Sequence, residues 1–210
     1  METKLFRLVL AAASLLAGST STFAQTNAQV PKYGLQVFYG MLSFTKPGEQ
    51  GEIPASRFSP ASVNVKTWAH AAKESGMTFA VLTAKDWSGF CLWPSADADY
   101  GVRQSPYKGD IVSEFIAACK AEGILPGVYY CVADAHNEGA VRWNGPVPNL
   151  YFDLINKQIT ELLTKYPNIA VVTFDGATRF SPQHWNELKQ IIQRLNPNCV
   201  IMGFTREVYT

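Results

Sequence analysis

Short apolar runs alternate with longer amphipathic segments along most of this 210-residue chain. In the amphipathic segments the apolar side chains recur three and four positions apart, which predicts helices. Strands of a parallel sheet are buried on both faces and read as continuous apolar runs, with helices as their usual connections. The predicted strands lie within residues 35–42, 79–82, 127–132, 169–174 and 199–204. The alternation therefore predicts an α/β fold built from parallel β/α units.

Residues with well-defined helix-terminal preferences mark the ends of the amphipathic segments. Asp110 is a good N-cap for the second helix, and Gly123 is suited to the residue that ends it. Ser181 and Pro182 open the last helix with proline at its first position. Four helices are predicted, within residues 63–74, 111–122, 151–163 and 182–195.

Two arrangements of β/α units fit this pattern, a closed barrel and a doubly wound open sheet. No glycine-rich phosphate loop follows any predicted strand, which favours the barrel over a nucleotide-binding open sheet. A complete (β/α)8 TIM barrel has eight strands and about 250 residues. We therefore predict an incomplete (β/α)8-type barrel with about five to six β/α units, and keep the doubly wound sheet as the alternative.

The first 24 residues have the pattern of a secretory signal peptide. Lys4 and Arg7 precede an apolar run over residues 8–16, and Thr22 and Ala24 stand at the −3 and −1 positions of a cleavage site. The run is too short to span a bilayer, although a membrane anchor remains the alternative. We expect an exported protein, periplasmic or extracellular and free of the membrane after cleavage. A flexible leader is expected over residues 25–32 and a single domain over residues 33–210.

Composition narrows the classes of partner. The chain has 18 Lys and Arg residues against 17 Asp and Glu residues, so a nucleic-acid partner is not expected. Three scattered histidines lack the spacing of metal ligands, so no metal site is expected. The widely spaced cysteines are interpreted as buried thiols, with one disulfide as the alternative. They are Cys91, Cys119, Cys131 and Cys199.

Carboxylates follow three of the predicted strands, where parallel α/β folds place their reactive groups. These are Asp86, Asp134 and Asp175. Gly176 follows Asp175, so the backbone can turn away while the carboxylate faces the end of the sheet. Retaining glycosidases use such a carboxylate as a nucleophile, with a second carboxyl about 5 Å away. The alternative is a loop carboxylate that accepts hydrogen bonds from backbone amides.

Several motifs, in order along the chain, resemble the α-L-fucosidases of glycoside hydrolase family 29. The segment 83–93 resembles the family's substrate-binding loop, T-A-K-H-H-D-G-F-C-L-W. The segment 173–176 resembles the W-F-D-G stretch that contains the family's catalytic nucleophile. The resemblance runs from about Tyr33 to Ile201. It implies a barrel glycosidase with Asp175 as nucleophile, a carbohydrate substrate such as a fucosylated glycan, and neither a metal nor an organic cofactor.

The resemblance also implies which residues line the sugar site and supply its proton. The acid/base carboxyl of this family usually comes from a variable loop or from beyond the region that the resemblance covers. Glu49, Glu52 and Glu138 are the candidates within this sequence, with Glu207 beside Arg206 to be tested first. The implied substrate-binding residues are Tyr39, Lys85, Asp86, Trp87, Trp93, Tyr130 and Asp134. Tyr129 also matches the family framework, and packing inside the barrel is the alternative for the three tyrosines.

Some sugar-contacting positions depart from the family pattern. Phe38 stands where the family has a histidine, and Asp86 and Trp87 stand in place of its paired histidines. Each lost hydrogen bond to a sugar hydroxyl costs about 1–3 kcal/mol if a buried group is left unpaired. The leading hypothesis is a secreted retaining glycoside hydrolase that cleaves a terminal α-L-fucosyl or related bond. The alternatives are a catalytically impaired carbohydrate-binding relative and a truncated chain that is not stably folded. The oligomeric state is left open.

Overall fold

Strands and helices alternate in the computed structural model, which describes residues 33–46, 49, 53–137, 139 and 145–204. The strands are β1 (Gly34–Val37), β2 (Phe79–Lys85), β3 (Leu125–Cys131), β4 (Val171–Asp175) and β5 (Val200–Phe204). The helices are α1 (Val65–Glu74), α2 (Ile111–Glu122), α3 (Asn149–Lys165) and α4 (Pro182–Leu195). The predicted signal peptide and leader lie outside the described residues and stay predictions. No helix in the described ranges is long and apolar enough to cross a membrane.

The five strands form one parallel sheet in the order of the chain, β1-β2-β3-β4-β5. A doubly wound sheet reverses its strand order at a switch point and carries helices on both faces. Here the order does not reverse among the described strands, and each β/α unit lies beside the previous one. The doubly wound alternative is therefore wrong for this part of the chain.

All four helices pack on the same face of the sheet. Their buried apolar residues belong to one core cluster, which also contains strand residues such as Ala80, Leu82 and Val128. We call the opposite face the inner face. Its smaller cluster includes no residue of the described helices and consists of Phe79, Val81, Tyr129, Cys131, Ala133 and Val171. Helices on one side and a packed interior on the other are the layers of a (β/α)8 barrel.

The predicted helix ends match the hydrogen bonds that close them. The Asp110 carboxylate accepts from the Ser113 amide at 3.0 Å, and Gly123 ends α2 in the left-handed region with φ 67°. The Ser181 hydroxyl accepts from the His184 amide at 3.1 Å, with Pro182 as the first residue of α4. These contacts satisfy backbone groups that a helix terminus leaves unpaired.

Two irregularities shape the carboxyl edge, the edge at which the strands end. Strand β1 ends at Val37, earlier than the apolar run predicts, and a 3₁₀ turn follows over Met41–Phe44. In β2, Thr83 pairs with Tyr129 whereas Lys85 pairs with Tyr130, so one extra residue is inserted as a β-bulge. Because side chains alternate along a strand, the bulge moves Lys85 away from the inner face.

Candidate active site

Asp175 lies at the carboxyl edge, as the last residue of β4, and is partly buried. The Tyr129 hydroxyl donates a hydrogen bond to its Oδ2 at 2.6 Å from the neighbouring strand β3. Burial, together with Cys131 and Asp175, raises the pKa of Tyr129 far above its usual 10.0, so the phenol remains a proton donor. Gly176 adopts φ 80°, a left-handed conformation in which the chain turns away from the sheet. The carboxylate is therefore fixed in orientation by one strong hydrogen bond.

Two further side chains lie near this pair. Phe38, directly after β1, packs edge-on against Tyr129 with ring centroids 5.2 Å apart, and it is 54% exposed. Arg179 follows β4, and its Nε donates to the Gly145 carbonyl at 3.1 Å. Burial lowers the pKa of Arg179, while Cys131, Tyr151 and Asp175 oppose that effect. Asp175 thus accepts from a phenol that packs against an apolar ring, and it interacts electrostatically with Arg179.

Asp86 is buried against the turn that follows β1. Its Oδ1 accepts hydrogen bonds from the Ser88 hydroxyl and from the Ser88 amide, the latter at 2.9 Å. A Cβ at Gly40 would lie 2.8 Å from Asp86 Oδ2, so this close approach requires glycine. Burial raises the pKa of Asp86, although Ser88, the Leu42 amide and Lys85 oppose the rise. Asp86 therefore ties the loops after β1 and β2 together, and its predicted contact with a sugar stays a prediction.

Trp87 is the outward neighbour of Asp86 and is 37% exposed. Its carbonyl accepts from the Ala135 amide at 2.9 Å, which joins the loops that follow β2 and β3. Its place at the carboxyl edge fits the predicted contact with substrate, which stays a prediction.

Lys85 and Asp134 form an ion pair beneath the carboxyl edge. The Lys85 ammonium lies 3.0 Å from Asp134 Oδ2 and donates to the Tyr151 hydroxyl at 2.8 Å, and no part of its side chain is exposed. Burial alone would raise the pKa of Asp134, but Lys85 and the Asn137 amide hold it below its usual value. The Asp134 carboxylate also accepts from the amides of His136 and Asn137. The two groups bind each other in the structure, and their predicted contact with a sugar stays a prediction.

Trp93 and Tyr130 are fully buried. The Trp93 indole donates to Glu161 Oε2 at 2.8 Å, and the Tyr130 hydroxyl donates to Gln158 Oε1 at 2.5 Å. Both acceptors are on α3, so these aromatic rings attach strands and loops to a helix.

Tyr39 is half-buried in an aromatic cluster, where it packs against Phe44, Phe58 and Trp68. Burial raises its pKa to about 12. The predicted contact of substrate with Tyr39, Trp93 or Tyr130 stays a prediction.

Of the candidate proton donors, only Glu49 lies within the described residues. It accepts from the Lys46 amide at 2.9 Å and pairs with Arg57 at 3.1 Å. These contacts lower its pKa, the Lys46 amide first, which suits a permanent carboxylate better than a general acid. Glu52, Glu138, Arg206 and Glu207 lie outside the described residues.

Histidines and cysteines do not form a second centre in the part of the chain that the structure describes. No group of three or more His, Cys, Asp and Glu side chains there has the arrangement of a metal site. All four cysteines are free and buried, which confirms the buried-thiol interpretation and excludes the disulfide.

The structure brings Asp175 together with Tyr129, and Phe38 packs against Tyr129. Tyr129 was predicted only as a residue that matches the family framework, and Phe38 is outside the predicted set of substrate-binding residues. The register of β3 against β4 explains why Tyr129 reaches Asp175. Cys131 pairs with Asp175, so Tyr129 is on the same face and two residues earlier, within reach of the carboxylate.

Comparison with known proteins agrees with the motifs. The family model described as alpha-L-fucosidase matches residues 18–205. Alpha-L-fucosidase 1 of Arabidopsis thaliana is 34% identical over 187 residues, which are 85% of this chain and 36% of the relative. A relative from Oryza sativa subsp. japonica is 38% identical over 164 residues, 74% of this chain and 30% of the relative. The chain thus spans about a third of the length of these curated relatives.

Solved structures give the same assignment. Alpha-L-fucosidase isoenzyme 1 from Paenibacillus thiaminolyticus has a TM-score of 0.69 at 30% identity, and the match covers 80% of this chain and 47% of that one. A family 29 alpha-L-fucosidase from Bacteroides thetaiotaomicron, solved as a trapped covalent intermediate with 2-fluoro-fucosyl fluoride, has a TM-score of 0.63 at 30% identity. That match covers 70% of this chain and 36% of the other. The five described strands are therefore part of a (β/α)8-type barrel, and the chain belongs to the alpha-L-fucosidase family of glycoside hydrolases, family 29.

Proposed function

We propose that this chain carries the nucleophile half of a retaining glycosidase that cleaves a terminal α-L-fucosyl or related glycosidic bond. The observation that carries the proposal is the carboxylate of Asp175 at the carboxyl edge, held by the Tyr129 hydroxyl at 2.6 Å. Reactive groups of β/α barrels lie at this edge. The covalent intermediate trapped in the Bacteroides thetaiotaomicron relative supports a retaining mechanism for this chain.

In the proposed first step Asp175 Oδ1 attacks the anomeric carbon while Tyr129 holds Oδ2. The carbon–oxygen bond to the leaving group breaks, and a second carboxyl group protonates the departing oxygen. Water then attacks the glycosyl ester, the same carboxyl group removes its proton, and Asp175 leaves as a carboxylate. Glu52, Glu138 and Glu207 remain the candidates for that second group.

Turnover of an aryl α-L-fucoside by the full chain tests the proposal. We expect Asp175→Asn to lower kcat on the order of 10⁴-fold, because an amide is a poor nucleophile. Asp110→Asn is the matched control, since Asp110 also accepts a hydrogen bond from a tyrosine hydroxyl, at 2.7 Å, but caps α2. Asparagine is a good N-cap, so the control should keep its activity and fold.

Covalent trapping tests the mechanism separately. Incubation with 2-fluoro-fucosyl fluoride should add one fluorofucosyl group to the wild-type chain, located by mass spectrometry on the peptide that contains Asp175. A label elsewhere, or full turnover in Asp175→Asn, would remove Asp175 from the nucleophile role.

A second candidate function is carbohydrate binding without turnover on the same barrel. The observation that favours it is the burial of Asp86 against Gly40 in place of a sugar-reading histidine. Fucoside binding with no turnover and no covalent label would select this candidate.

We further propose that the chain is exported, with cleavage after Ala24. The support is the sequence pattern of residues 1–24, a positive start, an apolar run and small residues at the cleavage site. Cell fractionation followed by N-terminal sequencing tests it, and a full-length chain retained in the cytoplasm would contradict export.

A further inference from the structure

Large apolar side chains that are exposed in the described residues are not scattered evenly over the fold. Two of them are aromatic, Phe38 at 54% and Trp87 at 37% exposure, and both follow strands at the carboxyl edge. Leu125 begins β3 at the opposite edge, and Leu150 lies on the outer helix α3. The exposed aromatic surface is therefore on the same edge as Asp175.

Phe38 is connected to the carboxylate through a single residue. Its ring packs on Tyr129 at 5.2 Å between centroids with the planes 76° apart. Tyr129 in turn donates to Asp175 at 2.6 Å. Strand β2 lies between β1 and β3 and places Thr83 opposite Tyr129, a side chain small enough for the two rings to meet across it. Phe38 therefore forms an apolar wall on the β1 side of Tyr129, the residue that holds the carboxylate.

The chemistry of this wall constrains what lies against it. A phenylalanine ring neither donates nor accepts a conventional hydrogen bond, so a sugar hydroxyl pressed against it loses its water partner without replacement. A C–H face, a methyl group or a methoxyl carbon loses nothing there and gains contact with the ring. Because the Phe38 ring is half-exposed, a ligand can contact it with little rearrangement of the surrounding side chains.

We propose that Phe38 is a substrate-contact residue that determines specificity beside Asp175. It selects pyranosides that present a C–H face, methyl or methoxyl group at this position and disfavours those that present a free hydroxyl. The inference rests on the proposed glycosidase function and names its substrate class as O-methylated α-L-fucosides.

Equilibrium binding by the full-length chain tests this inference independently of turnover. The probes are methyl α-L-fucopyranoside and its three mono-O-methyl derivatives, titrated by calorimetry. At least one O-methyl derivative should bind the wild-type chain more tightly than the parent sugar. Phe38→Ala should weaken that derivative's binding roughly tenfold, the scale of one apolar contact in a pocket. Phe38→His should reverse the preference in favour of the parent sugar.

Leu125→Ala is the matched control, because it removes a comparably exposed apolar side chain (46%) from the opposite edge of the sheet. It should leave all four affinities unchanged. Equal affinities of wild type and Phe38→Ala for every sugar, or absence of binding to all four, would overturn the inference.

The failures of the two proposals are distinguishable. Turnover that depends on Asp175 but is indifferent to Phe38 leaves the glycosidase proposal intact and removes Phe38 from specificity. Sugar binding that depends on Phe38 without turnover or covalent labelling leaves the apolar wall in place and removes the hydrolytic function.

Discussion

The carboxylate of Asp175 has one short contact that its chemistry depends on. The Tyr129 hydroxyl at 2.6 Å fixes the plane of the carboxylate and withdraws charge from Oδ2. Such a bond to an ionised group contributes about 1.5–3 kcal/mol. Tyr129 is therefore a positioning residue for the proposed nucleophile.

We expect Tyr129→Phe to lower kcat about ten- to a hundredfold with little change in KM, since the lost bond orients the nucleophile and not the substrate. Steady-state kinetics that separate kcat from KM provide the readout.

Tyr166→Phe is the control for that experiment. It deletes a tyrosine–aspartate hydrogen bond of similar length, 2.7 Å to Asp110, at the start of α2. If both variants lose only stability and keep the kcat and KM of the wild type, Tyr129 has no positioning role.

Asp86 gives a prediction about pH. Burial raises its pKa above the ordinary 3.8, so between 3.8 and the raised value the folded chain holds a proton that the unfolded chain has released. The stability that Asp86 contributes is thus present at low pH and is lost as pH rises through its folded pKa. We expect Asp86→Asn to gain stability relative to wild type as pH increases from 3 to 7, measured by urea unfolding at each pH. A stability difference that is flat with pH would contradict the raised pKa.

The position of Asp175 could be predicted from the sequence, whereas its hydrogen-bond partner could not. Asp175 at a strand end was predicted from its position and from the motif around it. The contact of Tyr129 with that carboxylate depends on strand register, which no apolar pattern specifies in a strand buried on both faces.

At the scale of elements, the Lys85–Asp134 pair joins β2 to the loop after β3, and Tyr151 adds α3 to the same cluster. Both charged groups are buried, so each one interacts with the other in place of water. Removing one partner of such a pair strands the other charge and is more damaging than removing both.

We expect Lys85→Met to destabilise the fold by about 3–5 kcal/mol, because Asp134 would be left buried without its cation. The double variant Lys85→Met/Asp134→Leu should recover a large part of that loss. Chemical denaturation of the two variants measures the difference. A single variant as stable as the wild type would mean that the pair contributes nothing to the fold.

Lys85 shows why helices and strands were easier to predict than the direction in which their side chains point. The helix ends at Asp110, Gly123 and Ser181 follow local rules and were predicted correctly. The bulge between Thr83 and Lys85 changes which face Lys85 occupies, and nothing in the local sequence signals that extra residue.

At the scale of the whole molecule, four thiols are buried in a fold with no disulfide. Burial raises the pKa of Cys119, Cys131 and Cys199 to about 12, and that of Cys91 further still. Thiolates, which are the reactive form, are therefore scarce in the native state at neutral pH.

We expect a thiol reagent such as dithionitrobenzoate to react with none of the four cysteines within minutes at pH 8 in the native chain. All four should react in denaturant, and reductant should not change Tm. Rapid reaction of one or more thiols in native buffer would indicate that the core opens on that timescale.

The packing of helices on one face of the sheet was predictable, because apolar strands that alternate with amphipathic helices can form only a few fold topologies. The parallel sheet in chain order with helices on one face is the expected result. The chain spans about a third of the length of the curated relatives it matches.

The loop after β2 is attached to the rest of the fold at both of its ends. Lys85, the last residue of β2, forms an ion pair with Asp134, and at the other end of the loop the Trp93 indole donates a hydrogen bond to Glu161. Between these two attachments Trp87 is exposed at 37%, whereas Asp86, Ser88, Phe90 and Leu92 are buried. Paired substitutions at Trp87 and Phe38 would therefore be a practical starting point for engineering new sugar preferences, since the buried side chains of the loop stay as they are.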